Sequence, residues 1–550
     1  MKRSLYIVIF TFLFFPLFAY AQVDINNETD LKNNLSSGAD IRLTANITVT
    51  TNLFVQGEST IDLNGFTIDM TNKTLVPYKT LTVKDTSDSE SGKITSTAQN
   101  TLQVGGSTKD GSFVLESGTI DCRGTYCVNN YGQITINGGR IEGNNYTIIN
   151  RKSLTMNGGT VHSRDNIAVG LTENTTFTLN DGLVETMGDN CAVFVSASGA
   201  EFTMNGGRIE ALYEDVPNHS TGGIGIFTRG NTQVTINGGT ILADGFAING
   251  NGSYENTNIT INGGDIESLH LHAIYAPEKS GEVKITGGTI TGLTALEVRG
   301  GVLNITGGTF NATSDYYVIG SNDNGTTTKG VAVAIVQHVT KKPIEVHICG
   351  GTFNGIVPFA QANAETNPLE DVNKISLLID NSCGVPVFNS LDGNKTVFSE
   401  NFDSFIFGGK FTTDVGKYIA PKYGEVLENG MQVVYLYNNI IVDDDDIEVV
   451  ESELRNNVVT VITPDKPGYV VDKIIVTDEN GNVIPVRNNK FIMPASDVHI
   501  KVLYIPEGEV KGDDIINPIT RDLIRCYIHI LFTAIMGISL VVINKKLLID

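Results

Sequence analysis

Hydrophobic and polar residues alternate in short segments that return along most of the chain. Residues 133–141 (QITINGGRI), 153–161 (SLTMNGGTV) and 233–241 (QVTINGGTI) share one pattern, in which apolar residues flank a threonine ahead of Asn-Gly-Gly. Apolar residues at every second position predict a β-strand with one buried face. The glycine pair predicts a tight turn, because glycine adopts positive φ without a steric penalty and lets backbones approach closely.

The same unit recurs with starts 20 to 43 residues apart, and a second short strand and a third apolar patch follow each turn. The position of the asparagine is occupied by Asn137, Asn157, Asn180, Asn205, Asn237 and Asn262, and later by Thr286, Thr306 and Cys349. Three strands in so short a repeat predict an all-β fold, a right-handed parallel β-helix whose coils stack and bury a shared core. The leucine-spaced signature of a leucine-rich horseshoe is missing.

The repeats place the solenoid at residues 41–438. Residues 1–21 carry Lys2-Arg3, an apolar run and the small-residue cleavage pattern Ala19-Tyr20-Ala21, which predict a secretory signal peptide. Residues 22–40 predict a short helical N-terminal cap, whose first turn a Thr or Asp would cap. A solenoid has open ends, and such a cap covers one of them.

Five further segments follow the solenoid. Residues 439–447 contain four successive aspartates, which predict a solvated acidic linker, with calcium capture as the less favoured alternative. Residues 448–506 predict a small β-sandwich-like module, and residues 507–523 a second linker. The apolar run in residues 524–543 predicts a transmembrane helix and residues 544–550, with Lys545 and Lys546, a cytoplasmic tail. A buried terminal helix is the alternative for the apolar run.

Composition narrows the classes of function. The chain of 550 residues has 58 Gly, no Trp and a formal net charge of −23. Excess negative charge without an evident basic face argues against a nucleic-acid partner. Six cysteines are scattered without the spacing of a zinc site, so no metal site is expected. Cys122 and Cys127 fall within one coil and can form a disulfide, but buried thiols are the favoured interpretation.

Two columns of side chains stand out when the coils are aligned. The asparagines of the turn predict a structural ladder, because stacked amides hydrogen-bond from coil to coil. The second column should point outward from the strand after the turn, and its members are Glu142, His162, Glu185, Glu210 and Glu267. These are the candidate binding residues, and Glu185 and Glu210 are the catalytic candidates if the protein is an enzyme. A solvated polar face is the plainer interpretation.

Neighbouring carboxylates repel one another unless they are solvated, paired or bridged by a cation, so calcium is the one cofactor considered. Arg140 and Arg208 lie on the same face and can soften the repulsion. Other basic residues, namely Arg229, Arg299 and the segment His270-Leu271-His272, are expected to lie dispersed in loops or coil corners. The insertion at residues 212–221 lengthens one coil and is the candidate functional loop.

The coil pattern resembles the pectate-lyase-like superfamily over roughly residues 40–430. This resemblance implies either a polysaccharide lyase or glycosidase, or an adhesin or glycan-binding rod. Residues 448–506, with Met493-Pro494-Ala495-Ser496-Asp497-Val498, resemble the small β-repeat modules of bacterial cell-surface proteins. Residues 517–522 resemble a Gram-positive sorting signal, Pro-x-Thr-Gly, but Arg521 replaces the glycine, which favours a plain membrane anchor over wall attachment.

Taken together, the sequence predicts an extracellular rod held at the cell membrane by its C-terminal helix. Because the acids of the outer column lack an evident partnered base, we expect an adhesin or glycan-binding surface without catalysis. The expected ligand is a polysaccharide or a host surface molecule. A cell-surface polysaccharide lyase or glycosidase is the rival hypothesis, because the function of a widely used fold depends on the site grafted on it.

Overall fold

The computed structural model describes residues 22–213, 222–253, 255–319, 328–364 and 366–509. The chain divides into two compact units, residues 1–436 and residues 437–550. The predicted signal peptide, transmembrane helix and cytoplasmic tail lie outside the described residues, as does most of the linker at 507–523. Among the described residues, no helix is both long enough and apolar enough to cross a membrane.

The first unit is a β-helix solenoid built from three long sheets of parallel strands, and successive strands of the chain pass from one sheet to the next. Sheet 1 holds the strands that precede the glycine turns. Its 15 strands are, in order, Val23–Ile25, Ile41–Leu43, Ser59–Asp62, Thr80–Lys84, Ser112–Leu115, Gln133–Ile136, Ser153–Met156, Thr176–Leu179, Glu201–Met204, Gln233–Ile236, Asn258–Ile261, Glu282–Ile285, Gly301–Ile305, Ile344–Ile348 and Ile375–Ile379.

Sheet 2 holds the strands that follow the turns and carries the predicted outer column. Its last two strands pair antiparallel and all the others pair parallel. The 17 strands are Ile47–Thr48, Thr67–Asp69, Lys93–Ser96, Thr119–Cys122, Arg140–Gly143, Thr160–Ser163, Leu183–Thr186, Arg208–Ala211, Thr240–Ala243, Asp265–Ser268, Thr289–Gly292, Thr309–Ala312, Thr352–Gly355, Val387–Ser390, Lys410–Phe411, Met431–Leu436 and Tyr423–Glu428.

Sheet 3 is formed by the third apolar patch of each coil. Its 14 strands are Leu53–Val55, Leu75–Pro77, Asn100–Val104, Tyr126–Asn130, Tyr146–Asn150, Ile167–Leu171, Cys191–Val195, Ile224–Thr228, Ile248–Gly250, His272–Ala276, Thr294–Val298, Val331–Gln337, Val357–Asn363 and Val397–Ser399. Short helical segments at Leu369–Val372 and Gly416–Tyr418 lie between solenoid strands.

The core of the solenoid is a stack of equivalent residues. In sheet 2, Ile209 pairs in register with Val184 in the preceding coil and Ile241 in the next, and all three are 0% exposed. Toward the C-terminal end this inward position becomes aromatic, and the rings of Phe353 and Phe388 stack with centroids 4.6 Å apart. One apolar residue per coil therefore fills the same site throughout the sheet, as the sequence pattern predicts.

The two glycines of each turn have different roles. A Cβ atom on Gly206 would lie 2.5 Å from the carbonyl oxygen of Asn180 in the preceding coil, so the first glycine is required by close stacking. Gly207 has φ of 75°, a left-handed conformation that side chains disfavour. This division explains why the triplet keeps both glycines while the residue before them varies.

A helix closes the N-terminal end. The helix Glu28–Ser37 begins after Asn27, whose side chain accepts a hydrogen bond from the backbone of Asp30 at 3.0 Å, and it buries Leu31 and Leu35. The cap is therefore an asparagine rather than the expected Thr or Asp. The predicted cap segment also contains a strand, Val23–Ile25, which pairs with Ile41–Leu43 as the first strand of sheet 1.

The second unit has its own small core, which includes Ile440, Val476 and Phe491. Its five-stranded sheet runs in the order Ser452–Glu453, Asn438–Val442, Val498–Pro506, Tyr469–Asp478 and Val483–Ile484. A separate pair, Val458–Thr460 and Lys490–Ile492, is antiparallel, and a short helix spans Glu507–Glu509. The prediction that residues 439–447 form a separate linker is wrong, because this segment includes a central strand and buries Ile440 and Ile447.

Disulfide bonds join Cys122 to Cys127 and Cys349 to Cys383, while Cys191 is a buried free thiol. The favoured interpretation of the first pair as buried thiols is therefore wrong. The cysteines of that pair lie at the end of one strand of sheet 2 and in the next strand of sheet 3, where the short turn between the strands brings their Cα atoms to 5.1 Å.

Candidate functional site

The asparagines of the turns form a continuous chain of hydrogen bonds on the solenoid surface. Each side-chain nitrogen donates to the oxygen of the preceding asparagine, at 2.9 Å for the first link and 2.8 Å for the next four. Asn137 donates to Glu116 at one end, and Asn262 accepts from Thr286 at the other. Side-chain hydrogen bonds therefore join successive coils, as expected of a structural ladder, along Asn137, Asn157, Asn180, Asn205, Asn237 and Asn262.

The second column lies on the outer face of sheet 2, one residue beyond the buried position. Pairing in register follows the order Asp121, Glu142, His162, Glu185, Glu210, Leu242 and Glu267. The column thus contains all five residues selected from the sequence. It also contains Asp121, which sequence alignment of the Asn-Gly-Gly turns did not include because that coil has no such triplet.

Arginines bridge the acids of this column. Arg164 Nη2 lies 2.8 Å from Asp121 Oδ1 and also contacts Glu142 Oε1. Arg140 donates to Glu142 at 2.9 Å, and its Nη1 lies 3.3 Å from Glu185 Oε1. We call Asp121, Arg140, Glu142, His162, Arg164 and Glu185 the charged band. Arg140 therefore pairs with acids of this face, as expected from the sequence, and Arg164 is a further partner that was not among the expected residues.

Electrostatics in the charged band favour ionised carboxylates. His162 Nδ1 lies 2.9 Å from Glu185 Oε1, although the direction is poor for a hydrogen bond. This contact is the main cause that lowers the pKa of Glu185, and Arg140 adds to it against the effect of burial. For Glu142, burial alone would raise the pKa, but the hydrogen bond from Arg140 and the charge of Arg164 outweigh it and lower the pKa.

The rest of the column is arranged differently. Glu210 contacts Arg208 on its own strand, Leu242 then interrupts the acids, and Glu267 pairs in register with Thr291. Beyond that point the column becomes a second amide ladder, in which Asn354 donates to Asn311 and Asn389 donates to Asn354, both at 2.8 Å. Glu210 and Glu267 therefore lie outside the charged band.

An open groove adjoins the charged band. It has a volume of about 660 Å³ and shares Asp121 with the band. Polar and charged groups line it, namely Asp69, Thr71, Asn72, Thr95, Ser96, Thr97, Asp121 and Arg123. The side chain of Arg123 is 57% exposed and its Nε lies 3.6 Å from Asp121 Oδ1. The groove and the band together give sheet 2 a polar outer surface that crosses several coils.

A second ionic group is buried on sheet 3. His272 Nε2 lies 2.8 Å from Glu297 Oε2, and Arg299 Nε donates to Glu297 Oε1 at 2.6 Å. Thr328 also donates to Glu297, at 2.6 Å, and the side chains of Glu297 and Arg299 are 0% exposed. The prediction that Arg299 and His272 are isolated is therefore wrong. Burial raises the pKa of Glu297, but His272, Arg299 and Thr328 outweigh it, so the pKa is lowered.

The described residues contain one group of at least three His, Cys, Asp or Glu donors at a spacing that suits a metal ion, and it lies away from the outer acid column. The candidate loop at 212–221 lies mostly outside the described residues, since residues 214–221 are not among them. Comparison of the chain with protein-family models, with curated proteins and with solved structures gives no match.

Proposed function

We propose that this protein is a surface-anchored extracellular rod that binds glycans on the outer face of sheet 2 without cleaving them. The signal peptide and the C-terminal apolar run predicted from the sequence support export and membrane attachment. The stacked parallel sheets support a solenoid of the pectate-lyase-like kind, for which we expect a right-handed path. The second unit is proposed to act as a stalk module between this rod and the membrane.

The observation that carries the proposal is the continuity of the groove with the charged band. The groove offers hydroxyl, amide, carboxylate and guanidinium groups, which match the donors and acceptors of a polymer rich in hydroxyl groups. Adjacent coils stack at the strand spacing of about 4.8 Å, so polar groups recur at short intervals along the solenoid. An extended ligand can then gain affinity from many weak contacts.

One observation favours the rival hypothesis of a glycosidase. Glu185 and Glu210 are neighbours in register, and paired strands lie about 4.8 Å apart, close to the roughly 5 to 5.5 Å that separates the carboxyl groups of retaining glycosidases. Such an enzyme needs one carboxyl group with a raised pKa as the general acid. The pKa of Glu185 is instead lowered, and Glu210 contacts Arg208. Binding without turnover is therefore preferred.

The ion pairs of the charged band also affect whether calcium can bind there. A cation bound among Asp121, Glu142 and Glu185 would have to compete with Arg140 and Arg164 for the carboxylate oxygens. We therefore propose that glycan binding at this face does not require calcium. Binding measured with a chelator present, and again with added calcium, tests this point.

The test uses the full chain, purified in detergent, on a glycan array and in pull-downs with insoluble polysaccharides. The variant Asn72→Ala/Arg123→Ala removes two groove groups, and loss of a hydrogen bond to a charged partner is worth about 1.5 to 3 kcal/mol, so affinity should fall about tenfold or more. Lys284→Ala is the matched control, because Lys284 is an exposed cation in a strand of sheet 1. Equal binding by the groove variant and the control would refute the assignment of the site.

Turnover is measured on the same ligands. We expect no new reducing ends and no unsaturated sugar ends. If sugar ends are released and the release disappears in Glu185→Gln and Glu210→Gln, the protein is an enzyme and the binding hypothesis fails. If the protein neither binds nor cleaves any glycan but binds a host surface protein, the ligand is a protein and not a glycan.

A further inference from the structure

Two neighbouring coils near the C-terminal end of the solenoid bring four potential metal-binding side chains together. His347 lies in the sheet 1 strand Ile344–Ile348, and Cys349 follows that strand at the ladder position. In the next coil Asp380 follows the strand Ile375–Ile379, and Cys383 comes three residues later. The sequence pattern is His-x-Cys in one coil and Asp-x-x-Cys in the next.

The stacking of these coils sets the distances. His347, Cys349 and Asp380 each contribute one potential donor atom, and these three atoms lie within 4.8 Å of one another. His347 Nε2 is 3.2 Å from Asp380 Oδ1, and Cys349 is joined to Cys383 by a disulfide bond. While that bond is intact its sulfurs are not the thiolates that zinc binds.

We propose that reduction of the Cys349–Cys383 disulfide converts this group into a Zn²⁺ site with His347, Cys349, Asp380 and Cys383 as ligands. A dithiol supplies the two electrons and two protons, and its own sulfurs become a disulfide. The bond between Cys349 and Cys383 breaks to give two thiols, and Zn²⁺ displaces their protons to solvent as it binds. Two thiolates, an imidazole and a carboxylate meet the tetrahedral preference of zinc.

Accessibility and position support this assignment. The side chain of His347 is 37% exposed and Cys383 is exposed, so a reductant and a metal ion can reach the group. The amide ladder on this edge ends at Thr286, and the disulfide joins coils beyond it. Zinc would keep these two coils joined when the covalent link is lost. The site is separate from the groove and does not depend on the proposed glycan binding.

Cobalt titration tests the proposal. The full chain is purified in detergent and reduced with a dithiol, and the dithiol is then removed in the absence of oxygen. Co²⁺ is added as the spectroscopic substitute for Zn²⁺. We expect thiolate-to-cobalt absorption that saturates at one equivalent and disappears when Zn²⁺ displaces the cobalt. The oxidised protein should show no such absorption. A reduced chain without thiolate-to-cobalt absorption would overturn the proposal.

Variants identify the ligands. His347→Ala and Asp380→Asn should each lower the cobalt affinity by about tenfold or more, since even residues that only orient metal ligands contribute about that factor. Two controls should bind as the parent does, namely His499→Ala, at an exposed histidine in the strand Val498–Pro506 of the second unit, and the double variant Cys122→Ser/Cys127→Ser. Unchanged binding in His347→Ala and Asp380→Asn, or loss of binding in the Cys122/Cys127 variant, would refute the assignment. Thermal unfolding of each variant without metal shows whether it is folded.

Discussion

Replacement of Ile209 tests the coil register on which every other assignment depends. Its side chain is 0% exposed and packs in register between Val184 and Ile241. Ile209→Val removes one methylene and should cost about 0.5 to 1.5 kcal/mol, while Ile209→Ala should cost about 2 to 5 kcal/mol because it leaves a cavity as well. Ile209→Asp should cost at least as much, since it buries a charge without a partner.

The assay is urea denaturation followed by far-ultraviolet circular dichroism. Midpoints are compared rather than extrapolated free energies, because a long solenoid need not unfold in a single step. Leu391→Ala is the control, since Leu391 is an apolar solenoid residue that is 59% exposed and should change stability by about 0.5 kcal/mol or less. Midpoints of Ile209→Ala and Ile209→Asp equal to that of the parent would show that the register is wrong.

Three other predictions concern polar groups. Because the pKa of Glu185 is lowered from 4.5, its carboxylate stabilises the fold above pH 4.5, and the melting temperatures of the parent and Glu185→Gln should converge as the pH falls below that value; a constant difference would contradict this. Arg299→Ala removes the buried guanidinium that pairs with Glu297 and should cost about 3 to 5 kcal/mol in denaturation, against 1 kcal/mol or less for the exposed Arg123→Ala; equal losses would contradict it. Asn205→Ala breaks two ladder hydrogen bonds and should lower stability by about 1 to 3 kcal/mol, and an unchanged midpoint would argue against the ladder's structural role.

The coils were predictable because their signal is local and repeated. Alternating apolar residues identify the buried face, and Asn-Gly-Gly aligns one coil with the next, so the inward column and the amide ladder follow directly. The signal weakens where a coil lacks the triplet. Asp121 was missed for that reason, although it is the register partner of Glu142.

Convergence of charged groups was not predictable from pattern alone. Arg164 follows a strand of sheet 2 and reaches back over two coils to Asp121, which requires both the register and the direction of a long side chain. The buried group on sheet 3 joins His272, Glu297 and Thr328 from coils whose lengths differ. If the coils are aligned on the residue after each sheet 2 strand, instead of on the Asn-Gly-Gly turn, Arg123 and Arg164 fall beside the acids.

The acidic segment at residues 439–447 was mispredicted for a different reason. Its four aspartates suggested a solvated linker, but Ile440 and Ile447 at its two ends are buried in the second unit. The three successive apolar residues Ile440 to Val442 form too short a run to show the alternation that predicts a strand. Burial depends on partners such as Val498 in a strand far along the chain, which pairs with Ile440.

The outer column of sheet 2 shows how a solenoid separates folding from function. The backbone pairing, the glycine turns and the inward residues determine the coil, and none of them depends on which side chain points outward. The same column is therefore acidic and bridged by arginines around Glu142, apolar at Leu242, and an amide ladder from Asn311 to Asn389. In the amide stretch, part of the hydrogen-bonding capacity of each side chain is used in joining coils. Charged groups occupy this column from Asp121 to Glu185, and Asp121 also lines the open groove, so this is the stretch to which we assign the proposed binding role.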